Sequence, residues 1–343
     1  MLQWLPAGNV GKSMMKRLVH VVVLAGAALF LAATQSVAQS AGDFPNRPIR
    51  IVVIQAPGSG TDLVARLLAQ KMGELWGQQG VVENRQGANG IIGVEAAARA
   101  APDGYTLLYA SISALTTNQF IYKKLPYDTL RDFAPITQAV LNSLGAVANP
   151  ASGLKSLADV IARAKADPNG LSYGSSGIGN QTHQMGVLLS LATNIKMTHV
   201  PYRGQTPMLT DVMSGQIPLG FTVTSGVTDL VNSGKLTMLA TFGDQRDEQF
   251  PNVPTPTELG YKDVVITGWT GLLAPAGTPP AIVNKIYSGM AKVLAMPDVK
   301  EAMLKLGTTA KVSGSPEDFA RHIKAESEKY YPVIKAAGLE GSQ

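Results

Sequence analysis

The chain has 343 residues, 45% of them hydrophobic and 15% charged, which is enough for two domains with apolar cores. It contains no cysteine, which excludes a disulfide framework, a cysteine nucleophile and a lipid attached to cysteine. The net charge is +5, but Lys12, Lys16 and Arg17 precede a predicted cleavage site, so the processed chain is close to neutral. We find no basic stripe and expect no nucleic-acid partner.

Residues 1–38 have the three-part layout of a secretory signal peptide. Lys16 and Arg17 supply the positive charge, an apolar run follows over residues 18–33, and Ala38 ends a small-residue cleavage site. The alternative is an uncleaved membrane anchor, although a run of about 16 residues is short for a spanning helix. The sequence therefore predicts export.

After the signal, short β-branched segments alternate with glycine-containing loops and amphipathic segments. The predicted strands cover residues 49–54, 81–84, 105–110, 144–147, 171–174, 197–200, 217–223, 236–242 and 264–273. The predicted helices cover residues 63–75, 94–101, 157–166, 181–192, 206–214, 280–294, 298–305 and 316–336. We expect Thr61 or Asp62 to cap the first helix. The repeated strand–helix units predict an α/β fold with mostly parallel sheets.

Two stretches, near residues 134–140 and 265–272, are predicted to cross between domains. Residues 139–268 would then form one lobe, and residues 43–138 plus 269–343 the other. Such a layout leaves a cleft between the lobes, where helix N-termini from both sides could meet a ligand.

The first loop, residues 57–62, links a predicted strand to a helix and is a candidate anion site. Free N–H groups and the helix dipole favour an anion there, and Gly60 lets the backbone approach a ligand closely. The hydroxyls of Ser59 and Thr61 add donors. Asp62 could cap the helix, hold the loop or bind an amino or hydroxyl group of the ligand. A plain turn without a ligand is the alternative.

The second loop, residues 173–183, repeats this arrangement with more polar side chains. Its candidate ligand-binding residues are Ser175, Ser176, Gly177, Asn180 and His183. A serine hydrolase that uses Ser175 or Ser176 with His183 is an alternative. However, Ile178 stands where a nucleophile elbow centred on Ser176 needs glycine.

The third loop, residues 199–206, adds Tyr202 and Arg203 as candidates. The guanidinium of Arg203 could bind a carboxylate through two hydrogen bonds, or lie on the surface without a ligand. Tyr202 could stack on a ligand or cover the core, and residues 111–119 could add polar contacts. The histidines do not show metal-ligand spacing, and we expect no metal, cofactor or catalytic residue.

Many short segments, taken together and in order, resemble the Bug-type (TctC-like) substrate-binding proteins of tripartite tricarboxylate transporters. The matching segments are PIRIVV (48–53), APGSGTD (56–62), VENRQGANG (82–90), PDGYTL (102–107), LPYD (125–128), DFAP (132–135), HVPYRG (199–204), TELGY (257–261) and APAGTP (274–279).

This resemblance implies a two-lobed type II periplasmic binding fold, in which the first and second loops pinch a ligand carboxylate. It also implies an integral membrane transporter as partner, which takes a small di- or tricarboxylate or aromatic carboxylate from the periplasm. We expect a monomer, with a ligand-sensing co-receptor for a membrane kinase as a further alternative. Two departures, Ser59 in the glycine run and Gln184 after His183, concern selectivity.

Overall fold

The structure is a computed structural model that describes residues 43–167, 169–262 and 264–343. The predicted signal peptide lies outside the described residues. By internal contacts the chain divides into Met1–Phe44 and Pro45–Gln343, and all the strands and helices given below belong to the second unit. Within the described ranges, no helix is long and apolar enough to cross a membrane.

Eleven strands and eleven helices are found in the described residues. The strands are β1 (Ile49–Val53), β2 (Gly80–Asn84), β3 (Thr106–Ser111), β4 (Phe133–Asn142), β5 (Leu144–Ala148), β6 (Leu171–Ser175), β7 (Met197–Pro201), β8 (Leu219–Val223), β9 (Thr237–Thr241), β10 (Gly268–Pro275) and β11 (Thr308–Ala310). The helices are α1 (Gly60–Trp76), α2 (Ile91–Ala98), α3 (Asn118–Ile121), α4 (Thr129–Asp132), α5 (Leu157–Ala166), α6 (Gln181–Thr193), α7 (Gln205–Ser214), α8 (Thr228–Asn232), α9 (Pro280–Ala295), α10 (Pro297–Lys305) and α11 (Pro316–Ala336). A π-helical turn, Ser113–Thr117, precedes α3.

The first sheet has six strands in the order β11-β4-β10-β3-β1-β2. Strand β1 pairs in parallel with β2 and β3, whereas β10 pairs antiparallel with β3 and β4. Every residue of β10 is buried, as is expected for a central strand covered on both faces.

The second sheet has five strands in the order β7-β6-β8-β5-β9. Strand β6 is parallel to β7 and β8, and β5 is antiparallel to β8 and β9. Both sheets are therefore mixed, and the prediction of mostly parallel sheets was wrong. Strand β10 belongs to the chain that returns after the second sheet, and it enters the first sheet antiparallel between β3 and β4.

Helix starts follow local capping chemistry. Ser59, and neither Thr61 nor Asp62, caps α1, because its side chain accepts a hydrogen bond from the Asp62 N–H. Asn180 caps α6 in the same way by accepting from the His183 N–H. Helix α2 begins three residues earlier than predicted, since Gly90 adopts φ +88° just before it.

The parallel pairs bring the loops of interest together at the carboxyl ends of strands. Strands β1 and β2 end at Val53 and Asn84, so the first loop and residues 85–90 lie side by side. Strands β6 and β7 end beside each other at Ser175 and Pro201, where the second and third loops begin.

Candidate functional site

A cavity of about 940 Å³ is lined from both sheets. Residues that follow strands of the first sheet are Gln86, Gly87, Ala88, Asn89 and Tyr122. The second sheet contributes Pro201, the last residue of β7, and the residues after its strands, which are Ser176, Gly177, Ile178, Asn180, Tyr202 and Arg203. Gln343 completes the wall. Among these described residues, Arg203 carries the one charged side chain.

The second loop presents an anion-compatible surface to this cavity. Asn180 organises it: its Oδ1 accepts from the Thr182 hydroxyl at 2.8 Å, and its Nδ2 donates to the Ser176 hydroxyl at 2.9 Å. Helix α6 starts at Gln181, and first-turn N–H groups have no partner inside a helix. No acidic residue occurs between residues 173 and 183, so the positive end of the helix dipole is not offset locally.

Two histidines support the second loop from beneath. The rings of His183 and His199 stack with their centroids 3.6 Å apart, and His183 Nδ1 accepts from the Gly179 N–H at 3.0 Å. Burial, together with the nearby His199, lowers the pKa of His183 to about 3, and burial lowers the pKa of His199 to about 4. Both rings are therefore neutral near pH 7. His183 holds the loop through Nδ1.

The two serines of the second loop have different surroundings. Ser175 is fully buried, and its Oγ lies 2.6 Å from His199 Nε2, not beside His183. Ser176 lines the cavity, and its Oγ lies 3.0 Å from the Thr182 hydroxyl. The hydrolase arrangement of either serine with His183 is therefore not formed.

The third loop contributes one fixed and one free side chain. The hydroxyl of Tyr202 donates to Asp211 at 2.6 Å, and burial and this carboxylate raise the pKa of Tyr202 to about 12. Arg203 is exposed, and its guanidinium has no hydrogen bond or ion pair with the residues that the structure describes. It is thus available to a ligand.

The first loop does not line this cavity. Its carboxylate, Asp62, is 1% exposed and accepts from the Gly58 N–H at 2.9 Å, Asn84 Nδ2 at 2.8 Å and Arg66 Nε at 3.0 Å. Burial alone would raise the pKa of Asp62, but these hydrogen bonds hold it below the usual value. Asp62 therefore holds the loop, one of the three roles considered for it. Thr61 is partly buried, and Gly60 is exposed with open space around it.

The sequence analysis missed the wall formed by residues 86–89, Tyr122 and Gln343. The available signal was the pair Gly87 and Gly90, which lie between a predicted strand and a predicted helix. Residues 111–119 do not line the cavity: the hydroxyls of Thr116 and Thr117 donate to the carbonyls of Ile112 and Ser113.

Comparison with known proteins identifies the family. The model of the tripartite tricarboxylate transporter family receptor (TctC) matches residues 64–339. Protein BugT of Bordetella pertussis is 34% identical over 302 residues, which cover 88% of this chain and 92% of BugT.

Solved structures agree in fold and family. A structure described as a periplasmic transporter is 36% identical, with a TM-score of 0.78 over 87% of this chain and 99% of that chain. Rpa4515 of Rhodopseudomonas palustris, solved with adipate, is 31% identical, with a TM-score of 0.79 over 86% of this chain and 99% of that chain. MatC of the same species, with bound malate, is 28% identical, with a TM-score of 0.74 over 85% of this chain and 100% of that chain.

These matches confirm the resemblance and the two-lobed α/β periplasmic binding fold. Because the family consists of transport receptors, the hydrolase alternative was wrong. The chain belongs to the TctC family of tripartite tricarboxylate transporter receptors, which are periplasmic solute-binding proteins and not enzymes.

Proposed function

We propose that this protein captures a small carboxylate in the cavity between its two sheets and delivers it to the integral membrane subunits of a tripartite tricarboxylate-type transporter. The observation that carries the proposal is the unpaired guanidinium of Arg203 beside the N-terminus of α6. A relative solved with adipate and another with malate support a carboxylate as the ligand class.

The charges of the site favour an anion. Arg203 can make two charge-assisted hydrogen bonds to one carboxylate, and the first-turn N–H groups of α6 that Asn180 does not cap add further donors. Ser176, Gly177 and Asn180 border the same space and can contact the ligand directly, with Tyr202 forming the adjoining wall. Ser175 and His183 act indirectly, because both are buried beneath the loop.

The first loop has a different part in the proposal. Ser59, Gly60 and Thr61 would approach the ligand when the lobes close, because a ligand that binds the closed state better shifts the population toward it. The proposed moving lobe is residues 139–268. Strands β5 to β9 all fall within that range, although its first boundary falls inside β4.

A thermal-shift screen of the mature chain, Gln39 to Gln343, tests carboxylate capture. The panel contains di- and tricarboxylates and aromatic carboxylates, each paired with its neutral amide. Binding to the native state raises the apparent melting temperature by mass action. We expect at least one acid to raise it while its amide does not. Equal shifts for acid and amide would contradict anion recognition.

Replacement of Gly60 tests whether the first loop meets the ligand. A Cβ at this position has no atom within 4 Å, so Gly60→Leu should fold normally. If the loop closes over the ligand, the new side chain should weaken binding by about tenfold, while the melting temperature without ligand stays the same. Unchanged affinity in a calorimetric titration would remove the first loop from the site.

A further inference from the structure

The wall segment, residues 86–90, has an unusual backbone, and its residues 86–89 line the cavity. Four successive residues have positive φ: Gly87 at 127°, Ala88 at 46°, Asn89 at 51° and Gly90 at 88°. Glycine adopts such angles freely. For Ala88 they are sterically unfavourable, and its methyl side chain cannot form a hydrogen bond that would stabilise them. A backbone of this kind persists only where its surroundings fix it, and such segments cluster at ligand sites.

A buried asparagine fixes this segment. Asn118, at the start of α3, is fully buried and makes two hydrogen bonds with Asn89. Its Oδ1 accepts from Asn89 Nδ2 at 2.6 Å, and its Nδ2 donates to the backbone carbonyl of Asn89 at 3.1 Å. The side chain of Asn89 and its left-handed backbone are thereby held by one partner.

A buried tyrosine orients the asparagine in turn. Asn118 Nδ2 also donates to the Tyr127 hydroxyl at 3.1 Å, and that hydroxyl donates to the Ala114 carbonyl at 2.6 Å. Ala114 belongs to the π-helical turn, and Tyr127 is 3% exposed. The hydrogen bonds run without a break from the turn through Tyr127 and Asn118 to Asn89.

The packing leaves the wall segment little freedom to relax. A Cβ on Gly90 would lie 2.5 Å from Ile54 Cδ1, and the Gly90 N–H is already bonded to the Gly87 carbonyl at 2.9 Å. Neither Asn118 nor Tyr127 lines the cavity. These two residues can therefore affect a ligand only indirectly, through the wall segment or through Tyr122, whose N–H donates to the Asn118 carbonyl at 3.0 Å.

We propose that Asn118 and Tyr127 are positioning residues of the ligand cavity. They fix residues 87–89 in their left-handed conformation. They thereby set the maximum length of a ligand whose carboxylate is bound by Arg203. This inference rests on the proposed capture of carboxylates. A loosened wall would broaden the range of ligand lengths, because a preorganised wall penalises ligands that fit it poorly.

The test compares Asn118→Leu and Tyr127→Phe with the control Tyr109→Phe. Tyr109 is also a buried tyrosine, and its hydroxyl accepts from Thr270 at 2.8 Å, away from the cavity lining. Calorimetric titration with linear dicarboxylates from succinate to suberate gives affinity as a function of ligand length. Hydrogen exchange without ligand reports on the Gly90 N–H.

For Asn118→Leu we expect faster exchange at Gly90 and a change of about fivefold in the ratio of affinities for the longest and shortest bound acids. Tyr127→Phe should show the same changes to a smaller degree. If Asn118→Leu does not fold, Tyr127→Phe alone tests the proposal. The control Tyr109→Phe should leave the exchange rate at Gly90 and the affinity ratio unchanged, even if its melting temperature falls.

Unchanged exchange, or faster exchange with an unchanged affinity ratio, would overturn the proposal. If the unmodified chain binds none of these acids, the carboxylate assignment fails on this panel. The exchange rate at Gly90 still decides, in that case, whether Asn118 and Tyr127 hold the wall.

Discussion

The first and second loops look alike in sequence, but the structure gives them opposite electrostatic roles. Each follows a parallel strand, contains glycine and serine, and opens a long helix. In the first loop the buried carboxylate of Asp62 accepts the N–H of Gly58 and neutralises the helix start from within. The second loop has no acid, and the unpaired Arg203 stands beside it.

A glycine loop before a helix is therefore not by itself an anion site. Its capacity depends on whether the protein already supplies the negative charge. The first loop contains its own buried carboxylate, whereas the second has no acidic residue and bonds several of its N–H groups to uncharged side chains. Mutations in the two loops should therefore separate stability from affinity.

The largest effect is expected from Asp62→Ala. Removing this carboxylate takes away the acceptor of the Gly58 N–H and of Arg66 Nε, and it leaves Asn84 Nδ2 with the Gln55 carbonyl alone. The free energy of unfolding should therefore fall by about 2–3 kcal/mol. Urea denaturation measures the loss. Asp62→Asn is the control and should lose about 1 kcal/mol, because its amide oxygen can still accept one of these bonds. A stability like that of the unmodified chain would remove the distinction between the loops.

Arg203→Gln should show the reverse behaviour. Loss of a charge-assisted contact should weaken binding of the acid by about 1.5–3 kcal/mol. The free energy of unfolding should change by less than about 0.5 kcal/mol, because the side chain is exposed. Titration calorimetry measures the affinity, with Arg321→Gln, an exposed arginine on α11, as the matched control. Equal affinities for both variants would make Arg203 a surface residue.

As the pH falls, the stability contributed by groups at the second loop should be lost before that contributed by Asp62 in the first loop. The folded pKa values of His183 and His199, about 3 and 4, lie below the ordinary 6.5, so the unfolded chain binds more protons as the pH falls from 6.5. Above pH 6.5 the two rings do not reduce stability, and below it each ring should lower the free energy of unfolding by up to about 1.4 kcal/mol per pH unit toward pH 4. The contribution of Asp62 is lost only below 3.8.

Denaturation midpoints at several pH values between 7.5 and 4 measure this decline. His199→Gln should flatten it, because one of the two stacked titrating rings is removed. An undiminished decline in that variant would assign the acid sensitivity to other groups.

The smallest effects are expected from the two helix caps. Ser59→Ala and Asn180→Ala each remove a side chain that accepts a first-turn N–H, and each should lower the free energy of unfolding by about 1 kcal/mol. Asn180→Ala should also weaken binding, and more than Ser59→Ala does, because Asn180 orients Ser176 at the cavity and Ser59 does not line it. A larger loss of affinity in Ser59→Ala than in Asn180→Ala would reverse the comparison.

Local chemistry made much of the fold predictable. Helices α5 and α11 have the predicted bounds, since Ser156 and Ser315 cap them and clear apolar stripes follow. Strand β10 begins four residues later than predicted because Val264 and Ile266 are buried without belonging to a strand. A buried segment has the same apolar sequence pattern whether or not it pairs as a strand.

The direction of strand pairing and the cavity wall could not be predicted in this way. The antiparallel entry of β10 depends on contacts between residues far apart in the chain. The wall segment needs Asn118, which lies 29 residues from Asn89 and which we read as one of several loop polar residues. The Ser175–His199 contact likewise joins two strands, β6 and β7, across 24 residues of sequence.

A crystal structure of the mature chain with the acid selected by the thermal-shift screen would show directly where the ligand carboxylate binds. We predict that the ligand carboxylate lies within hydrogen-bonding distance of the Arg203 guanidinium and the first-turn N–H groups of α6. Asp62 should keep its internal partners in that complex. A carboxylate bound away from Arg203 and the second loop, or one that displaces Asp62 from the first loop, would contradict the account.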